Sequence, residues 1–147
     1  MQIITGNKGF VGGNLTKFLQ NNNKEVIGVS RNPQNDELSY ESLGLEVLND
    51  SKSFIHLAGK AHDLKKTSED SAYFEVNTEL TKKSFDLFLE STCEVFIYMS
   101  SVKAAADTVE GLLTEDRTPN PVTVYGKSKL AAEEYILSQK TPQNKRV

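Results

Sequence analysis

A tyrosine and a lysine four positions apart, Tyr125 and Lys129 in the segment YGKSK, have the types and spacing of a proton-transfer pair. On a helix, residues i and i+4 lie on the same face, so the ammonium can reach the neighbourhood of the phenol. A phenol is a poor base with an ordinary pKa of about 10, and a nearby ammonium lowers that value. The pair can therefore take a proton from an alcohol, although taken alone it also fits an ordinary amphipathic surface helix.

Ser101 could complete such a site, because it follows the apolar run EVFIYM directly after Ser100. Open α/β sheets place ligands at the carboxyl ends of their parallel strands. A hydroxyl both donates and accepts hydrogen bonds, so Ser101 could hold a substrate oxygen as it changes from alcohol to ketone. The alternative is that both serines are turn residues.

A glycine-rich turn near the start of the chain, TGNKGFVG, has the spacing of a dinucleotide-binding loop. Gly6 permits the backbone angles of a tight turn, and Gly12 permits close packing of strand and helix. Gly9 leaves room for a pyrophosphate at the helix N-terminus, where free N–H groups favour negative charge. The loop lies between an apolar strand and an amphipathic helix, as this function requires, and we favour dinucleotide binding over a structural glycine turn.

The end of the second strand indicates which dinucleotide is bound. NAD sites typically place Asp or Glu there to bind the ribose 2′-hydroxyl, but the stretch from Val29 to Asn32 contains no acid. Arg31 could bind a 2′-phosphate and Ser30 could donate a hydrogen bond, so the sequence favours NADP over NAD. A solvated loop arginine is the alternative.

Strand-like apolar runs alternate with helical patterns along the chain, which predicts an α/β fold. Nearly continuous apolar strands indicate burial on both faces, hence a parallel sheet with right-handed crossovers. The predicted strands are residues 2–5, 25–30, 54–58 and 94–100, and the predicted helices are residues 10–22, 42–48, 71–90 and 124–139. A further strand is expected just as the chain stops at TPQNKRV, so we interpret the chain as part of a longer protein.

Composition excludes several classes of function. The net charge of −3 gives no basic surface for nucleic acid, and no apolar run approaches the roughly 20 residues of a membrane span. The single cysteine, Cys93, excludes an internal disulfide and is predicted to be structural, and His56 is predicted to be a packed core histidine. The two histidines, His56 and His62, have no metal-site spacing. Together these features predict one soluble, cytoplasmic domain over residues 1–147 without a metal.

The motifs together resemble the extended short-chain dehydrogenase/reductases that act on nucleotide sugars. The matching pieces occur in the family's order over nearly the whole chain: GNKGFVG, HLAGKAH (56–62), YFEVN (73–77), YMSSVKAAAD (98–107) and YGKSK. Within this family, the motifs are similar to those of UDP-galactose (UDP-glucose) 4-epimerases and of reductases of 4-keto UDP-N-acetyl sugars. The implied fold is a three-layer Rossmann-type doubly wound sheet lacking its last strands and its substrate domain.

The resemblance also implies roles for individual residues. Tyr125 would be the catalytic acid/base, Lys129 its partner on the nicotinamide ribose, and Ser101 the hydrogen-bond partner of the reacting oxygen. The implied cofactor contacts, besides Ser30, Arg31, Tyr125 and Lys129, are Gly6, Gly9, Phe10, Val11, Gly12, Ala58, Gly59, Lys60 and Asn77, the last of which would also support the active-site helix. The segment between the second strand and HLAG is shorter than the family's pattern.

These expectations converge on an NAD(P)-dependent epimerase or reductase, an isomerase or oxidoreductase, that exchanges hydride with the hexose C4 of a nucleotide sugar. Two alternatives stay open: a non-catalytic dinucleotide-binding domain, and an inactive fragment of such an enzyme. The apolar surface of the 71–90 helix is broader than one sheet contact requires. Paired with the 124–139 helix it predicts a homodimer, or else a helix covered by a missing C-terminal region.

Overall fold

The computed structural model describes residues 1–60 and 69–147, which form two compact units. The first unit comprises residues 1–58, 83–99 and 141–147, and the second comprises residues 59–82 and 100–140. His62, the second of the two histidines, lies outside the described residues. Within the described ranges, no helix is both long and apolar enough to cross a membrane.

The first unit is built on a four-stranded parallel sheet, which confirms the predicted α/β class and its doubly wound Rossmann-type sheet. The strand order is β2-β1-β3-β4. Its elements are β1 (Gln2–Thr5), α1 (Phe10–Asn21), β2 (Val26–Val29), α2 (Leu45–Asn49), β3 (Ser53–His56) and β4 (Val95–Tyr98). The chain winds outward from β1 in one direction and from β3 in the other, so the switch point that open α/β sheets use for ligands lies between β1 and β3.

Single bridges extend the sheet at both edges. Leu38 pairs in parallel with Val29 beside β2, and Arg146 pairs in parallel with Val95 beside β4. Leu38 therefore brings the chain beyond the end of β2 back to the edge of the sheet. The Arg146 bridge lies where the sequence predicts a further strand, which itself stays a prediction.

The core of the first unit is largely aromatic. Phe54 on β3 and Phe96 on β4 meet edge to face at 5.3 Å between ring centroids, and Phe85 packs on Phe96 at 5.1 Å. His56 is fully buried beside these rings, and its Nδ1 lies 2.9 Å from the hydroxyl of Thr5. The prediction of a packed core histidine is confirmed.

A buried ammonium fastens residues 141–147 to the core. Lys145 donates from Nζ to the carbonyl oxygens of Phe88, Ser91 and Cys93 at 2.9, 2.8 and 2.6 Å. The same nitrogen lies 4.3 Å from the centroid of the Phe88 ring, a cation–π contact. Burial lowers the Lys145 pKa, yet the three carbonyls give its ammonium the partners that a buried charge needs.

The second unit is helical. Its elements are α3 (Asp70–Phe74), a π-helical segment (Glu75–Glu79), the first turn of α4 (Leu80–Glu90), α5 (Val102–Ala105) and α6 (Val124–Ser138). The predictions of α6 and of a helix over residues 71–90 are both confirmed within one residue, the second with a π-helical segment in its middle. Thr81 donates its hydroxyl to the Asn77 carbonyl at 2.8 Å, and such back-bonding competes with α-helical hydrogen bonds at this turn.

Candidate functional site

The glycine turn of the first unit is held by two close backbone approaches. Gly6 lies at φ +69°, the left-handed region that favours glycine, and a Cβ on it would lie 2.8 Å from the Ala58 nitrogen. A Cβ on Gly12 would lie 2.3 Å from the Gly6 carbonyl oxygen. Glycine is therefore required at both positions for the predicted steric reasons, whereas their binding role stays a prediction.

The first turn of α1 offers N–H groups to an anion. Gly9 is the N-cap residue, and in the described chain no side chain caps this helix end. The first i→i−4 hydrogen bond of α1 runs from the Gly13 N–H to the Gly9 carbonyl at 2.8 Å. The N–H groups of Phe10, Val11 and Gly12 therefore have no acceptor within the helix. A Cβ on Gly9 would approach only the Gly6 carbonyl, at 3.2 Å. These residues fit the pyrophosphate of a dinucleotide.

The end of β2 differs from the sequence interpretation, because an acid is present there. Glu37 returns to the strand end and accepts a hydrogen bond from the Ser30 hydroxyl at 3.3 Å, while Arg31 is exposed. The chain folds back after Pro33 and is pinned by the Leu38 bridge to Val29. No local pattern marks Glu37, since it lies eight residues beyond the last strand residue.

In the second unit, Asn77 on the π segment is the central hydrogen-bonding residue. Its Oδ1 accepts from the Lys60 N–H at 2.7 Å, and its Nδ2 donates to the Lys60 carbonyl at 3.2 Å and to the Ser128 hydroxyl at 3.0 Å. Ser128 in turn donates to the Tyr125 carbonyl at 2.8 Å. A fully buried amide thus ties the Gly59–Lys60 turn to the helix that carries Tyr125. Isolated π turns occur frequently at functional sites.

Helix α6 presents Tyr125, Lys129 and Glu133 at successive i, i+4 positions. Tyr125 is half-buried, with its ring edge-on to Tyr73 at 6.4 Å between centroids. Lys129 is only 4% exposed, and burial lowers its pKa to about 8 while the Glu133 carboxylate acts in the opposite direction. Glu133 also accepts a hydrogen bond from the Ser100 hydroxyl.

Ser101 is the N-cap of α5, a short helix that is not among the predicted elements. Its Oγ accepts from the Lys103 N–H at 3.3 Å. A serine oxygen that accepts one bond keeps its own O–H for donation, so the cap leaves the hydroxyl able to bind a substrate oxygen. The helix was missed because four residues show no periodicity.

Asp107 closes the base of the loop that precedes α6. Its carboxylate accepts the N–H groups of Val122 and Thr123 at 2.6 and 2.9 Å and the Thr123 hydroxyl at 2.7 Å. Desolvation raises the Asp107 pKa, but these hydrogen bonds and Lys103 outweigh it and lower the value to about 2. Since Thr123 is the N-cap of α6, Asp107 also fixes the helix start two residues before Tyr125. No sequence pattern marks Asp107 for this role.

We expect Asp107→Asn to lower the free energy of unfolding at pH 7 by about 1.5–3 kcal/mol, because an amide cannot accept all these bonds. The folded pKa is below the ordinary 3.8, so the carboxylate stabilises above that value and loses its effect as pH falls toward about 2. Urea denaturation should therefore show a constant difference from wild type between pH 7 and 5 and a shrinking one below pH 4. The exposed Asp116→Asn in the same loop is the control. If Asp107→Asn lowered the free energy of unfolding no more than Asp116→Asn does, the Asp107 hydrogen bonds would not hold the start of α6.

Gly126 lets α5 and α6 pack closely. A Cβ on it would lie 2.3 Å from the Lys103 carbonyl oxygen and 2.8 Å from the Pro121 side chain. We expect Gly126→Ala to lower the free energy of unfolding by about 1–3 kcal/mol, as overpacking typically does. Chemical denaturation should show this loss, and the exposed neighbour Lys127→Ala should stay close to wild type. A neutral or stabilising Gly126→Ala would mean that α5 yields to the extra methyl group.

The predicted site residues fall into two groups, one in each unit. The first unit carries Gly6, Gly9, Phe10, Val11, Gly12, Ser30, Arg31 and Ala58. The second unit carries Gly59, Lys60, Asn77, Ser101, Tyr125 and Lys129. Within the second, the structure links Lys60, Asn77 and the Tyr125 backbone through hydrogen bonds, and adds Asp107 and Glu133 as supports that no sequence pattern marked.

Comparison with known proteins gives a consistent result. The model of the NAD dependent epimerase/dehydratase family matches residues 2–144. The UDP-glucose 4-epimerase of Vibrio cholerae is 32% identical over 151 residues, covering 92% of this chain and 46% of that protein. A 3-beta-hydroxysteroid dehydrogenase of Mycolicibacterium neoaurum is 26% identical, covering 96% of this chain and 43% of that protein.

A solved structure extends the similarity to the fold. MoeE5 in complex with UDP-glucose and NAD superposes with a TM-score of 0.83 at 26% identity, covering 98% of this chain and 50% of that one. The chain therefore spans about half the length of the relatives that it matches.

Proposed function

Since the chain belongs to the NAD-dependent epimerase/dehydratase family, we propose that it forms the cofactor-binding and catalytic part of an enzyme acting on nucleotide sugars. The reaction is hydride transfer at the hexose C4, either as epimerisation or as net reduction of a 4-keto sugar. The nucleotide-sugar substrate is supported by the similarity to a UDP-glucose 4-epimerase and to MoeE5, whose structure contains UDP-glucose. Residues 1–147 are proposed to be one Rossmann-type cofactor domain, with the substrate-binding part elsewhere.

The observation that carries this proposal is the α6 face with Tyr125 and the buried Lys129. At pH 7 the Lys129 ammonium predominates, because its pKa of about 8 lies above that pH. Tyr125 takes the proton of the substrate hydroxyl during oxidation and returns one during reduction, while Lys129 supplies the stabilising positive charge. Ser101 holds the substrate oxygen through its hydroxyl.

The cofactor supplies the hydride acceptor and donor when it is bound. Gly9 and the first-turn N–H groups of α1 would hold its pyrophosphate. Gly6, Gly12 and Ala58 shape that turn. In the second unit, the Gly59–Lys60 turn that Asn77 holds is proposed as a further cofactor contact. Which dinucleotide is bound depends on the end of β2, where Ser30 contacts Glu37 and Arg31 is exposed. MoeE5 was solved with NAD, whereas the sequence favours NADP through Arg31.

Two further predictions belong to the same proposal. The enzyme is expected to be cytoplasmic, and to form a homodimer through the helices of residues 71–90 and 124–139. Phe74 is 38% exposed and Leu137 82% exposed on these helices, which supports such an interface. Sedimentation of the purified protein would give the oligomeric state.

The proposal is tested by activity of the natural full-length protein that carries residues 1–147. It should interconvert UDP-hexoses at C4 with a catalytic amount of cofactor, or reduce a 4-keto UDP-sugar with stoichiometric loss of NADH or NADPH absorbance. A 3β-hydroxysteroid serves as the comparison substrate, because one relative is a dehydrogenase of that class. Turnover of the steroid alone would refute the nucleotide-sugar assignment.

The non-catalytic alternative differs in a measurable way. A dinucleotide-binding domain without catalysis would bind cofactor in calorimetry, yet the full-length protein would turn over none of these substrates. An inactive fragment would bind cofactor as residues 1–147 but show turnover only in the full-length protein. Absence of binding of both NADH and NADPH would refute the proposed function as a whole.

A further inference from the structure

Glu133 lies where helix α6 meets the Ser100–Ser101 segment. It is one helical turn beyond Lys129 and two turns beyond Tyr125, on the same face of the helix. Its carboxylate accepts a hydrogen bond from the hydroxyl of Ser100, the residue directly before Ser101. One carboxylate is therefore linked to both parts of the proposed catalytic set, the Tyr125–Lys129 pair on the helix and the serine segment beside it.

Packing around α6 holds these groups in place. Ser101 is the N-cap of α5, so Ser100 is anchored one residue before the start of a helix. Helix α5 can approach α6 closely because Gly126 has no Cβ to meet the Lys103 carbonyl oxygen. Glu133 is partly exposed, whereas Lys129 is buried. A carboxylate at the rim of a buried site keeps part of its hydration and still acts on the charge inside, since screening by water is weak there.

The Lys129 ammonium needs a partner of opposite charge, because burial favours its neutral amine. Burial indeed lowers the Lys129 pKa to about 8, and the Glu133 carboxylate opposes that change. Without Glu133 the neutral amine would gain population near neutral pH. A neutral amine gives the Tyr125 phenolate no positive charge.

The other titratable and charged groups around α6 are engaged elsewhere or exposed. The described segments that surround this helix carry Lys60, Asp70, Tyr73, Glu75, Glu79 and Lys103. The three acids among them are exposed. The Lys103 ammonium lies 3.6 Å from the Asp107 carboxylate, and the Lys60 ammonium lies over the Tyr73 ring at 5.4 Å from its centroid. Among the described residues, Glu133 is thus the acid whose charge acts on Lys129.

We propose that Glu133 is a positioning residue, which keeps Lys129 in its ammonium form and, through Ser100, keeps Ser101 against the helix that carries Tyr125. This inference rests on the proposed function, in which the Lys129 ammonium stabilises the Tyr125 phenolate. Glu133 needs no contact with substrate or cofactor in this role, because it acts through Lys129 and Ser100.

Titration of Lys129 itself tests the charge effect, in the full-length protein that carries residues 1–147. Lysine labelled with ¹³C at Cε reports its protonation by NMR, and the Lys129 signal is identified by its absence in Lys129→Arg. Glu133→Gln keeps an oxygen that can accept from Ser100 but removes the charge. The Lys129 pKa should therefore fall below its wild-type value of about 8. Glu134→Gln removes a charge from the exposed neighbour and should leave the Lys129 pKa near wild type.

The pH dependence of turnover gives a second measurement. Loss of a neighbouring opposite charge typically lowers proton affinity about tenfold, which leaves about one fifth as much Lys129 ammonium at pH 8. Turnover by Glu133→Gln should therefore be about 5-fold below wild type at pH 8 and close to wild type at pH 6, where the ammonium persists in both. A fall by the same factor at both pH values would indicate a structural role and overturn the charge effect.

Ser100→Ala tests the link to Ser101. It removes the hydroxyl that Glu133 accepts and leaves the carboxylate, so turnover should fall by about 10-fold at pH 6 and pH 8 alike, the effect of one hydrogen bond to a charged group. Wild-type turnover in Ser100→Ala would overturn this link. An unchanged Lys129 pKa in folded Glu133→Gln would overturn the charge effect. If wild type turned over no substrate, the proposed function would fail, whereas the NMR titration would still decide whether Glu133 holds the Lys129 charge.

Discussion

Replacing Tyr125 with phenylalanine should lower turnover of the nucleotide sugar by about 10²–10⁴-fold in the full-length protein, the usual contribution of a general acid or base. The phenylalanine keeps the ring that packs against Tyr73 and removes only the hydroxyl. The helix itself should be unaffected, since Asn77 and Ser128 hold the Tyr125 backbone and not its phenol. The dissociation constant for NADH should therefore change little.

Tyr135→Phe is the matched control for this prediction. It removes the same hydroxyl from the same helix, at a residue outside the proposed site. Steady-state rates would be compared at saturating substrate and cofactor for wild type and both variants. Retained turnover in Tyr125→Phe would remove Tyr125 from its role, and an equal fall in Tyr135→Phe would indicate a general effect on the helix.

Gly12→Ala should weaken NADH binding by about 100-fold, which corresponds to about 2.7 kcal/mol. The added Cβ would lie 2.3 Å from the Gly6 carbonyl oxygen and 2.8 Å from the Asn7 Cα. Both are backbone atoms, so the contact can be relieved only by moving the turn away from α1. We also expect the free energy of unfolding to fall by about 1–3 kcal/mol.

The adjacent Gly13→Ala separates this steric effect from helix propensity. A Cβ on Gly13 would lie 3.4 Å from the Asn7 carbonyl oxygen, an ordinary contact. Because alanine is favoured over glycine within a helix, this variant should gain up to about 1 kcal/mol of stability. Calorimetry and urea denaturation of both variants are the measurements. If Gly12→Ala bound NADH like Gly13→Ala, close packing at Gly12 would not matter for the site.

The fold was largely predictable because its elements leave local patterns. Short apolar runs became the four strands, and the glycine turn between β1 and α1 followed from residue spacing. The missed features depend on partners distant in sequence. Asp107 meets Thr123 across 16 positions, and Glu133 meets Ser100 across 33. Such contacts form only once the chain has folded, so no window of sequence contains them.

The end of β2 shows the same limit. The stretch from Ser30 to Asn32 contains no acid, which is why the sequence favours NADP. The structure places Glu37 at this strand end, after a turn whose geometry depends on Leu38 returning to the sheet. The residue types were visible in the sequence, but the return path that brings the carboxylate to Asn7 was not.

The Lys145 ammonium affects how the edge of the sheet beside β4 opens locally. Because one nitrogen binds three carbonyls at the end of α4, residues 141–147 cannot lift off without releasing all three. The amide of Arg146 is bonded to Glu94, and that of Phe96 to Arg146, so both amides are shielded by the same segment. Their exchange with deuterated solvent should therefore follow a single opening event with a shared protection factor. We therefore expect this edge of the sheet to open as one cooperative unit, because the buried Lys145 ammonium holds its residues together.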